Sequence, residues 1–237
     1  MNNLKYLLTA IVLAGIFVVP QFVDLSRGAE EGTAEINSQE QTISALQEKI
    51  LPVEGVVLPI VWGYIGKQMI EEGVIDQEKF ESIYAAAGGL DEESQNLLSG
   101  EGNESITMNL ENSRFLLNLF WAFGLANENS ILENGPMTDA KYGGDASRFA
   151  STGGWSLSKG NAMDHYSKYS FVVLTKEQQE LVEEVSKNIY RPCCGNSVYF
   201  PDCNHGMAML GLLELLAAQG IGEAEMYDIA LLVNSYW

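Results

Sequence analysis

The chain is 237 residues long and 46% hydrophobic, with 32 acidic against 13 basic side chains and a formal charge of −19. That charge excludes nucleic acid and anionic lipid surfaces as partners, because both repel it. It is compatible with attracting metal cations, although a solvated acidic surface that keeps the chain soluble is the simpler account of it.

After Met1 and Lys5, the stretch from Tyr6 to Val23 carries no charge until Asp24. A run of about 18 apolar residues is near the lower bound for a bilayer span and long for the apolar region of a secretory leader. In Ser26-Arg27-Gly28-Ala29 an arginine stands where leader cleavage wants a small residue, and no cysteine is present for a lipid anchor. Residues 1–27 are therefore expected to form an uncleaved signal anchor that leaves the rest of the chain outside the cytoplasm, in the cell envelope or at the cell surface. A cleaved signal peptide is the alternative. Residues 28–52 read as a stalk or first helix, with Ile36, Ile43, Leu46 and Ile50 at helical spacing too brief for a coiled coil.

From residue 53 to 237 the pattern predicts a mainly α fold, a compact multi-helix domain. Val57 to Ile70 is strongly apolar and expected to be helical, with Pro59 tolerated near its start. Asp76 is placed to cap a helix carrying Phe80, Ile83 and Tyr84, closed by Gly88-Gly89. A short polar helix is expected from Asp91 to Leu98. Asn109 is the expected cap of a core helix, on which Phe115, Leu116, Leu119, Phe120 and Phe123 form an apolar face. Residues 135–170 then lose all periodicity. They are rich in glycine and serine but contain Tyr142, Phe149, Trp155, Tyr166 and Tyr169, which predicts a long irregular loop packed onto the domain. Tyr169 to Leu174 is a short extended candidate.

Thr175-Lys-Glu-Gln178 fits a capping box, and Leu181, Val182, Val185 and Ile189 supply the buried stripe of the helix it starts. Arg191-Pro192 ends that helix in this reading. The next helix begins at Asp202 or Asn204, runs apolar on nearly all sides to Gln219 and stops at Gly220. Asp202 is its expected N-cap, and Glu214 inside it has no evident partner. A last helix spans Glu223 to Tyr236.

The chemistry concentrates at the start of that central helix. All three cysteines and one of the two histidines lie within 13 residues: Cys193-Cys194, then Cys203-Asn204-His205. Thiolate and imidazole are the ligands of soft and borderline metals, and a helix N-terminus favours a thiolate. Three thiolates and His205 make a zinc set. Exchange of the imidazole for the thioether of Met207 or Met209 gives the sulfur-rich set copper prefers. His205 and Met209 share a helix face at i,i+4. Adjacent cysteines suit one zinc ion less well than Cys-x-x-Cys does, so copper is expected first and zinc second. The task would be metal capture, sensing or electron transfer.

Two other readings use the same cysteines. One is a thiol-disulfide oxidoreductase. The other is a non-catalytic helical ectodomain stapled by one disulfide, which binds an envelope protein partner and leaves a thiol over. His165 is either a further ligand folded over the cysteines or a surface imidazole beside Asp164. Ser156-Leu-Ser-Lys159 matches a Ser-x-x-Lys pattern without its companion motifs.

Overall fold

The computed structural model describes residues 42–48, 51–100, 105–191 and 193–237. The expected anchor at 1–27, the stalk as far as residue 41, and Pro192 lie outside the described residues. The chain divides at Leu46/Gln47 into two units. Residues 42–46 of the first are helical and exposed, and everything below concerns the second. Among the described residues, no helix is long and apolar enough to cross a membrane.

The fold is mainly helical, as the pattern predicts. Its main correction lies at Val57 to Ile70. There Val56–Leu58 is a strand (β1), paired antiparallel with Ile106–Met108 (β2) so that Val56 faces Met108 and Leu58 faces Ile106. Pro59 disfavours helix at Leu58 before it, and Gly63 turns at φ +58°. Helix begins only at Ile65–Glu71 (α1). The apolar run between is spent on the core: Trp62 is buried, donates its indole N–H to the Leu97 carbonyl at 2.7 Å, and meets Phe120 and Phe123.

Local signals set the next helices. Asp76 caps Gln77–Ser82 (α2) by accepting the Lys79 amide, and Asp91 caps Glu92–Ser99 (α3) by accepting that of Ser94. Ser113–Ala126 (α4) follows β2. Its N-cap is Asn112 rather than Asn109, whose side chain instead accepts the amides of Glu111 and Asn112 in the preceding turn. Ser130–Asn134 (α5) leads into the irregular segment, which is a succession of short 3-10 turns pinned to the domain by buried groups such as Trp155 and His165. Tyr169 touches Asn127 in a single parallel bridge, and no strand develops there. The capping box forms as expected, and Lys176–Asn188 (α6) runs from it.

Asn204–Ala218 (α7) is the central helix, buried on all sides between α4, α6 and Glu223–Tyr236 (α8). It crosses α4 at a paired glycine contact. A Cβ on Gly211 would stand 2.7 Å from the Phe120 carbonyl oxygen, and one on Gly124 would collide with the Met207 carbonyl oxygen. Backbone-to-backbone packing leaves little freedom to slide. The N-terminal end of α7 is thereby held in place, and the cysteine loop closes onto that end.

Candidate metal centre

The segment between α6 and α7 folds back on itself. The Val198 amide donates to the Ile189 carbonyl at 2.9 Å and the Arg191 amide to the Asn196 carbonyl at 3.0 Å, with a bridge between Tyr190 and Ser197. Gly195, at φ +70°, allows the turn to tighten. Cys193 and Cys194 stand at the tip of this hairpin, both exposed. The chain then returns through Phe200 and Pro201 to Cys203, the N-cap residue of α7, with His205 in the first turn.

The hairpin brings the tip over the helix end. Cys193 Sγ lies 3.5 Å from Cys203 Sγ. Cys193, Cys203 and a ring nitrogen of His205 form one triangle of ligand atoms, all within 4.8 Å of one another. Cys194, Asp202 and Cys203 form a second triangle within the same limit, sharing the Cys203 sulfur. Cys193, Cys194, Cys203 and His205 thus lie close enough to hold a metal. Met207 and Met209 are fully buried in the hydrophobic core.

The two facing thiols are electrostatically unlike. Burial pushes the Cys203 thiol up, but the His205 imidazole, the Gly206 amide, the Arg191 guanidinium and the Cys193 thiol outweigh it and bring Cys203 down to about 6. Cys193 is pushed up to about 12 by desolvation and by its neighbours Cys203 and Cys194. Cys203 is therefore the thiolate near neutral pH, and Cys193 is the thiol that donates to it.

Arg191 does not merely end a helix, as the sequence suggests; α6 has already stopped at Asn188. Its side chain is 0% exposed. The guanidinium donates to Asp202 Oδ1 at 2.6 Å, to Cys203 Sγ at 2.8 Å, to the Phe200 carbonyl at 3.0 Å and, through Nε, to the Asn196 carbonyl at 3.2 Å. Gly206 leaves room for it: a Cβ there would lie 2.7 Å from the guanidinium nitrogen and 2.9 Å from Cδ. Asp202 is thus engaged by Arg191 instead of capping α7, a further correction: the N-cap is Cys203. The available signal for Arg191 was one of only 13 basic residues standing two positions before the cysteine pair.

His205 also lines a cavity of about 400 Å³ with Ser113, Arg114, Asn118 and Trp237. His165 takes neither position expected of it. It is 6% exposed; Nε2 donates to the Lys159 carbonyl at 3.0 Å, and Nδ1 accepts the Tyr169 hydroxyl at 2.9 Å. With both nitrogens engaged it ties the irregular segment together. Glu214 is a further surprise: it is fully buried, with Oε2 accepting from Asn127 Nδ2 at 2.6 Å.

Compared with known protein families, with curated proteins and with solved structures, the chain matches none.

Proposed function

We propose that this chain is an envelope protein, held to the membrane by its N-terminal segment, that captures a soft metal ion through Cys193, Cys203 and His205. Copper(I) is the favoured ion and zinc the second. The observation that carries this reading is the triangle of two sulfurs and one imidazole nitrogen within 4.8 Å. Two thiolates and an imidazole match the soft, low-coordinate preference of copper(I), whereas structural zinc wants a fourth protein ligand. Met209 is left to the core, where packing accounts for a buried thioether. Capture and delivery fit a centre at an exposed hairpin tip beside a cavity. The test is elemental mass spectrometry on the full chain purified reduced and without chelator. About one equivalent of copper or zinc, absent from Cys203→Ser, supports the reading; a metal-free protein that also fails to take up added copper(I) refutes it.

A second reading, thiol-disulfide exchange, is favoured by the 3.5 Å approach of Cys193 to Cys203 and by the low value of Cys203. It predicts a Cys193–Cys203 pair that cycles with a thiol buffer and turns over a disulfide substrate. A stapled ectodomain would hold the same bond without turnover.

A further inference from the structure

We infer that the Arg191 guanidinium is a resident cation filling the second ligand triangle, so that the centre takes one metal ion and not a thiolate-bridged pair. The inference rests on the metal reading above. By donor type alone, the hairpin offers two positions that share the Cys203 sulfur: Cys193, Cys203 and His205 on one side, Cys194, Asp202 and Cys203 on the other. A sulfur common to two such sets is what a bridged pair of soft ions uses.

The second position is already taken. One terminal nitrogen of Arg191 lies 2.6 Å from Asp202 Oδ1 and 2.8 Å from Cys203 Sγ, and so touches two of the three residues of that triangle. A metal bound to a carboxylate oxygen at about 2.1 Å and a thiolate at about 2.3 Å needs nearly the same point in space. The guanidinium keeps its charge at any ordinary pH. It cannot easily swing aside, because its other nitrogens are bound to the Phe200 and Asn196 carbonyls and the side chain is fully buried. It also fits a pocket that exists because residue 206 is glycine. Cys194, the third member of that triangle, stays exposed at the hairpin tip. Arg191 acts as a positioning residue: it prevents a second ion and holds the shared sulfur ready for the first.

The test is silver(I), a redox-stable stand-in for copper(I), titrated into the reduced full chain and counted by native mass spectrometry. Wild type is expected to load one ion. Arg191→Gln is expected to load a second, and Arg191→Lys, which keeps a cation, to stay at one. Each variant is first checked for native helix content by circular dichroism. Two ions in wild type overturn the inference while leaving the metal reading intact. A folded Arg191→Gln that still takes a single ion overturns it too. If the arginine variants do not fold, the wild-type count under excess silver(I) decides: saturation at one ion supports the inference and a second ion overturns it. No silver in any variant means that the metal reading itself has failed.

Discussion

Replacing Glu214 with glutamine should make the protein more stable, and more so as the pH rises. Glu214 sits in the middle of α7 at 0% exposure, with Asn127 Nδ2 on one oxygen, while Oε1 has no hydrogen-bond partner among the described residues. Burial pushes its carboxyl well above the ordinary value, and the amides of Asn127 and Asn129 only partly oppose the shift. The folded state therefore holds a proton that the unfolded chain releases above about pH 4.5. Stability from the protonated carboxyl is complete below that pH. It is lost at up to about 1.4 kcal/mol per pH unit as the pH climbs toward the raised folded value. Glutamine is the same shape and carries no charge, so its curve lacks this slope. Urea unfolding of both proteins from pH 4 to 8 measures the difference: near zero at pH 4, in favour of the glutamine variant by more than about 1 kcal/mol at pH 7. Parallel curves, or a variant that loses ground as pH rises, would show that the two asparagine amides keep Glu214 ionised and that desolvation is not dominant.

Two further outcomes follow from the geometry. Gly124→Ala puts a methyl group into the Met207 carbonyl where α4 crosses α7, with Gly211 directly behind it. A cost of about 3 kcal/mol in denaturant unfolding is expected; a change under about 0.5 kcal/mol would mean the helices part freely. In the metal-free reduced protein, alkylation mapped by peptide mass spectrometry should show Cys203 reacting half-maximally near pH 6, while Cys193, up at about 12, stays slow at pH 8. A Cys203 midpoint at the ordinary thiol value of about 8.5 would remove Arg191 and the helix end as its activators.

What could be read from the residues alone was whatever depends on neighbours in the chain. The cap at Asp76, the short polar helix after it near Asp91, the Thr175 and Gln178 box, the apolar face of α4 and the all-round burial of α7 are local patterns, and each holds. The cysteine and histidine cluster was visible for the same reason, since its members are close in sequence. Tertiary structure decided the rest. The strand at Val56–Leu58 exists because Ile106–Met108 arrives beside it, and no local period announces a partner so far along the chain. Glu214 finds Asn127, which lies 87 positions away. Arg191 sits near the cysteines in sequence, yet only the folding back of the hairpin buries its charge against Cys203 and Asp202. Sequence proximity identified which atoms gather at this centre. The path of the backbone set their charges and the position the guanidinium occupies, because desolvation and hydrogen bonding act through space.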